Sequence, residues 1–221
     1  GLVNGTFYAL SALGLTLIFG LMRVVNFAHG ELYMVGGLIG WAFTELLGAN
    51  FFLALLIVVI ATGAAGYLID RWLIERVRNQ GPETGILLTI GISVFLTNAA
   101  LLIVGTVPHK VLSPFANKPL FLGPVVVTQS RLSIVAICAV LMIAVHLLIK
   151  HTTLGRAMRA TVQDAMAASL VGIRTERIHG FTFALGTALA SAAGALLGSI
   201  YVTQPTIGGL VSLKAFVVVI L

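Results

Sequence analysis

No charged side chain falls between residues 51 and 69, FFLALLIVVIATGAAGYLI. A stretch of this kind matches the ~20 apolar residues with which an α-helix crosses a ~30 Å hydrocarbon core. Residues 2–21, 86–107, 132–149 and 181–202 read the same way. Residues 32–47 follow with Glu45 near their end, and a further apolar run opens near Gly208. In lipid every backbone polar group must be satisfied inside the structure, which leaves helices or a closed barrel. A barrel would alternate polarity in segments of ~10 residues, and no such segments occur. The fold class is therefore all-α, a polytopic helical membrane protein embedded in a lipid bilayer. Composition agrees, with 9% charged residues against about 25% in soluble domains.

Gly1 is not a start methionine, and Leu221 ends inside an apolar run. The chain thus reads as one membrane-spanning domain over 1–221, truncated at both ends, with no basic signal-peptide region. Alternate connectors lie on opposite sides of the membrane. Connectors 21–31, 70–85 and 150–179 hold Arg23, Arg71, Arg76, Arg78, Lys150, Arg156, Arg159, Arg174 and Arg177. The opposite set, 48–50, 107–131 and 203–207, holds only Lys110, Lys118 and Arg131. Cytoplasmic loops carry the excess of Lys and Arg, so the first set is expected in the cytoplasm. The outer connector contains Pro108, Pro114, Pro119 and Pro124 and cannot be one helix. The net charge of +6 belongs to these loops. No basic binding module accompanies it, so nucleic acid is not an expected partner. Cys138 is the only cysteine and reads as a small core residue; His146 likewise reads as a core histidine.

The polar stretch 151–178 stands out against its apolar surroundings. Inside it, 164–172 (DAMAASLVG) carries a short helix signal. Asp164 can accept from free N–H groups at a helix start, and Gly172 can close the helix in the left-handed conformation. Met166, Leu170 and Ile173 fall near one face, with Ala167 and Val171 beside it. Ala167 and Ala168 are small enough to let a partner's backbone approach. So short a helix cannot nucleate alone in water, and its apolar edge needs a groove. The plainer alternative is a linker, although a loop of this length with its own helix is uncommon without a task.

A second polar segment, Asn26-Phe-Ala-His-Gly-Glu31, lies between the first two spans. Asn26, His29 and Glu31 must each find a partner at or just inside the membrane boundary. Two readings stand: a broken helix or re-entrant turn lining a pathway or gate, or a hydrogen-bonded turn that fixes two helices. His29 and Glu31 offer at most two ligands and no HExxH occurs, so no metal site is expected. In span 86–107, Thr89, Ser93 and Thr97 recur every four residues, with Asn98 beside them. They serve either a solute path or interhelical hydrogen bonds. Gly186, Ala190, Gly194 and Gly198 form a small-residue stripe, and Gly36 and Gly40 form another; both are helix-packing signals.

The segment 166–172 resembles the E-A-A-x-x-x-G loop of bacterial ABC importer permeases, with Met166 where the acidic residue usually stands. Leu154-Gly-Arg-Ala-Met-Arg159, Asp164, Ala167-Ala168 and Leu170-Val-Gly-Ile173 resemble more closely the branched-chain amino-acid permeases of the LivH/LivM-like group. So do 5–17, 23–31, 88–94 and 208–216. The resemblance covers essentially the whole chain. It implies a permease subunit of an ATP-driven importer in the bacterial inner membrane, with 151–178 as the coupling loop. It further implies ABC ATPase subunits, a second permease subunit and a periplasmic or extracellular substrate-binding protein as partners. Branched-chain amino acids lead as substrate; urea and short amides are the alternative. No P-loop GxxxxGK[ST] occurs, so neither catalysis nor a cofactor is expected on this chain. An ion-coupled or passive carrier would carry acidic residues at span centres, which the sequence lacks. An intramembrane enzyme would show a nucleophile or metal motif, and none is found.

Overall fold

The computed structural model describes residues 2–78, 80–115, 119–122 and 125–220. Gly1, Lys118, Pro124 and Leu221, used above for the ends, the charge balance and the outer connector, lie outside them. The order is α1 (Leu2–Met22), α2 (His29–Trp41) prolonged by a π turn (Ala42–Leu46), and α3 (Phe51–Ile69). A second π turn (Asp70–Ile74) and α4 (Glu75–Val77) continue α3 without a break. Then come α5 (Pro82–Val104), β1 (Pro119–Leu122), β2 (Val125–Thr128), α6 (Gln129–His151), α7 (Thr153–Gln163), α8 (Ala165–Leu170), α9 (Thr175–Ile200) and α10 (Ile207–Ile220). Among the described residues, five helical stretches are long and apolar enough to cross a membrane: Gly5–Met22, Phe51–Val77, Glu83–Val104, Gln129–His151 and Thr175–Ile200. The architecture is that of an all-α polytopic membrane protein. The connector between α5 and α6 adds an antiparallel hairpin, with Pro119 opposite Thr128.

The helix ends follow local chemistry. Asn50 starts α3 by accepting from the Phe52 N–H at 2.9 Å. Pro82 occupies the first turn of α5, where its missing N–H costs nothing. Thr152 starts α7 by accepting from the Gly155 N–H at 3.0 Å.

Helix α9 is the centre of the bundle, and its small residues are the reason. Gly186 lies against Gly14 and Ile18 of α1, and Gly194 against the Tyr33 carbonyl of α2. On a third side, Thr187 meets Gly66 of α3 and donates to the Thr62 carbonyl at 3.2 Å. The Ser191 hydroxyl donates to the Leu32 carbonyl at 2.7 Å, and Gly36 packs against the Ser191 backbone. Between apolar helices in lipid, such close backbone approach supplies the packing that hydrophobicity cannot. Helix α5 lies at the rim instead, with Leu87, Val94, Phe95, Leu102 and Ile103 exposed.

Four sequence expectations need correction. The third span continues to Val77, because its C-terminal end stays helical through the π turn. The span expected over 181–202 begins at Thr175. The helix α7 was not anticipated: its pattern is masked by charge, yet Gly155, Met158 and Thr161 form a buried face. His146 is exposed, since α6 packs through Ile134, Cys138 and Val145 and leaves the adjoining face open. Cys138 is buried as expected.

Candidate functional site

The chain has two places where polar chemistry is concentrated. On the expected cytoplasmic side, Asp164 Oδ1 accepts from the N–H groups of Met166 at 2.9 Å and Ala167 at 3.0 Å, starting α8. Gly172 ends the turn with φ of +87°, a conformation that costs glycine little. Met166, Ala167, Leu170 and Val171 are exposed, whereas Ala168 is buried against the chain itself and Ile173 is half-buried. Ala168 therefore anchors α8 to the bundle and is not free for a partner. A cavity of about 560 Å³ opens beside α8, lined by Tyr67, Arg71, Ser169, Ile173, Arg174 and Glu176 among others.

An ion-pair network sits alongside. Asp70 is buried and pairs with Arg78 at 2.9 Å. Arg71 pairs with Glu75 at 2.7 Å and reaches Glu176 of α9 at 3.4 Å. These contacts tie the inner end of α3 to the start of α9. Nothing in the hydropathy of 70–78 announced a buried carboxylate; the only signal was acidic Asp70 at the end of a helix with Arg eight residues on.

The second place is the break between α1 and α2. Arg23 has φ of +54° and turns the chain back along α1. The His29 ring Nε2 comes within 2.9 Å of the Ser11 carbonyl oxygen and 3.4 Å of its hydroxyl. Ser11 is about 16 Å from the Met22 end of α1 at ~1.5 Å per residue. The segment 26–31 thus packs against the middle of α1 rather than against its end. Asn26, His29 and Glu31 are all buried. Asn26 Oδ1 accepts from the Ala28 N–H at 3.1 Å. The Gly30 N–H donates to the Ser212 hydroxyl of α10 at 2.9 Å, and a Cβ on Gly30 would strike the Gly208 carbonyl. The first turns of α2 and α10 therefore meet at one level.

Asn26 Nδ2, His29 Nδ1, Glu31 Oε2 and Tyr33 Oη are buried with no hydrogen-bond partner among the described residues. Buried polar atoms are almost always satisfied, so four free ones between residues 26 and 33 set this segment apart. Thr89 joins this centre, its hydroxyl 3.2 Å from the Val25 carbonyl, and Ser93 faces the Glu31 carboxyl group. Thr97 is half-buried; Asn98 is exposed, and its Nδ2 donates only to Val94 of its own helix at 2.8 Å. Tyr33 was missed because a tyrosine in an apolar run reads as core. Among the described residues no three His, Cys, Asp or Glu side chains gather into a metal-binding group.

A family model described as the permease component of a branched-chain amino acid transport system matches residues 1–221. The chain belongs to this permease family. The high-affinity branched-chain amino acid transport permease LivH of Escherichia coli K12 is 34% identical over 243 residues, spanning all of this chain and 76% of the relative. LivH of Salmonella typhimurium is 33% identical with the same coverage. BraD of Pseudomonas aeruginosa is 33% identical over 234 residues, again across all of this chain and 76% of the relative. No solved structure gives a significant match. The permease is thus a multi-pass membrane protein with a transport role. Within it, the buried break before α2 and the exposed edge of α8 are the features that its small-residue packing does not explain.

Proposed function

We propose that the permease is the membrane-spanning subunit of an ATP-driven importer of branched-chain amino acids, seated in the bacterial inner membrane. The observation that carries this reading is the outward edge of α8. Met166 and Leu170 of this six-residue helix and Val171 just after it are 76%, 83% and 78% exposed. Such a helix does not persist alone in water, and its apolar edge fits a groove on a cytoplasmic protein. With no P-loop in this chain, that protein is a separate ATPase. A second permease subunit and an external binding protein complete the importer. The names of the relatives favour branched-chain amino acids over urea or short amides.

The mechanism follows from the connections of α8. Closure of two ATPases on ATP moves the docked helix. The short segment 171–174 passes that motion to α9, and the Arg71–Glu176 contact shares it with α3. Because α9 packs on α1, α2 and α3 together, its displacement shifts the whole bundle as a unit. The buried centre at Asn26, His29, Glu31, Thr89 and Ser93, which meets α1 at Ser11 and α10 at Ser212, forms the pathway or its gate. Met166 replaces an acidic residue of the family pattern, so docking here rests on apolar fit and on the helix start held by Asp164.

Co-purification tests the reading. The full-length permease is expected to bring down an ATPase pair, and the double variant Met166→Asp, Leu170→Asp is expected to lose it while remaining inserted. A wild-type permease that never associates with an ATPase would sink the proposal.

A further inference from the structure

Lys214 is the only charged residue in α10, and its side chain is exposed. Its Nζ donates to the Tyr8 hydroxyl oxygen at 2.9 Å and lies 4.8 Å from the centre of the Tyr8 ring. Tyr8 stands about 21 Å along α1 from Met22, at ~1.5 Å per residue. It is about 9 Å from Leu2 at the other end, so the pair lies within the apolar length of α1, nearer its N-terminal end. Helix α10 packs through Gly208, Val211, Ser212 and Ala215, so Lys214 lies at the exposed edge of the α1–α10 contact with its ammonium held against α1. An ammonium within such an apolar length is strongly disfavoured against lipid and characteristically faces water, where it marks a solute path.

The adjoining surface has the same character. A groove of about 380 Å³ runs between α1, α6 and α10. It begins at Ala9, next to Tyr8, and includes Val218, one turn beyond Lys214. Thr16 and His146 give it a polar edge, while Leu13, Leu17, Val145 and Val218 give it apolar walls. Gly5, Ala9, Thr16 and Gly20 are small exposed positions on α1, whereas Phe19 on the same helix is 43% exposed. The lipid-type surface of α5, with Phe95 at 70% and Leu102 at 87% exposure, is bulky by contrast.

We propose that Lys214 and Tyr8 form the carboxylate-binding end of an amino-acid site on the translocation path, and that the groove below receives an apolar side chain. This deepens the importer reading and rests on it for the identity of the solute. The chemistry fits. Lys214 spends one of its three N–H bonds on Tyr8, and the Tyr8 hydroxyl keeps its own proton to donate. Both free donors are available to one carboxylate, which a charged pair binds more strongly than neutral groups do. A neighbouring permease subunit would close the open side of the groove.

The test uses the complete importer in liposomes, with its ATPases and binding protein. Lys214→Gln is expected to lower leucine uptake about tenfold or more, the loss that follows removal of a charged hydrogen bond, with the complex still assembled. Lys214→Arg is expected to recover most of it. In Lys214→Cys and Thr16→Cys variants, a charged, membrane-impermeant thiosulfonate should label the new thiol, and leucine should slow that labelling; Cys138 is buried. Unchanged uptake in Lys214→Gln overturns the proposal. So does loss of subunits from that variant, which would make Lys214 an assembly contact. Labelling of both cysteines only by a lipophilic maleimide, or labelling that leucine does not slow, also overturns it. Failure of the importer reading looks different: the wild-type complex would then take up no leucine at all.

Discussion

His29 Nε2 lies 2.9 Å from the carbonyl oxygen of Ser11, so the first residue of α2 is held at the middle of α1. The contact fixes how far the chain folds back after Arg23 and carries Asn26 and Glu31 into the bundle with it. His29→Ala removes that hold and leaves a buried acceptor without its extra partner. Together with Asn26→Ala it is expected to lower ATP-driven uptake about tenfold, as the loss of one or two buried hydrogen bonds would. Unaltered uptake by the double variant would make both residues purely structural.

Close approach of α2 and α9 gives a sharper stability test. A Cβ on Gly194 would strike the Tyr33 carbonyl, so Gly194→Val must push the helices apart. Overpacking of this kind costs about 1–3 kcal/mol. The detergent-solubilised protein should therefore melt several degrees lower. Gly20→Ala is the control, since open space surrounds that position; it should melt at or slightly above the wild-type temperature.

Asp164 accepts from two N–H groups at the start of α8. Asp164→Ala is expected to cost about 0.5–2 kcal/mol locally. Uptake should fall while membrane insertion, checked by fractionation, is unchanged. Asparagine makes the same bonds, so Asp164→Asn should retain most of the activity. Equal defects in both variants would point to the charge rather than the cap.

The Asp70–Arg78 pair predicts a third pattern. Asp70 is 1% exposed on its side chain and Arg78 21%. Removing Arg78 alone strands a buried carboxylate, at a cost on the order of 3 kcal/mol. Arg78→Ala should therefore aggregate or melt early in detergent, and the double variant Asp70→Ala, Arg78→Ala should regain much of the loss. A double variant as unstable as the single one would show that the pair does not act as a unit.

Much of the membrane architecture was legible because hydropathy reports length and lipid contact directly. The uncharged run 51–69 became α3, and 164–172 became a capped turn of helix because Asp and Gly act on their own neighbours. The stripe from Gly186 to Gly198 marked the helix that others approach closely. Placement against α1 was not legible. Asn26–Glu31 reads as a polar connector by composition, and only the Ser11 contact shows that it re-enters the bundle. Helix α7 was hidden for a related reason, since Arg156 and Arg159 mask a buried face that exists only against α1, α6 and α9.

Sequence by itself determined that the chain is built of apolar membrane-crossing helices, along which stretches the positive charge gathers, and where a short helix starts and stops. Each of these depends on the identity of a residue and its near neighbours. Tertiary structure alone decided that α9 is the core, that Ala168 faces inward while Leu170 faces out, and that His29 meets Ser11. It also decided that Lys214 meets Tyr8 on an open face. Those facts depend on which helices lie side by side, and in a chain this uniformly apolar, hydrophobicity does not choose among neighbours. Small-residue contact and a few buried hydrogen bonds do, and their partners come from distant parts of the chain.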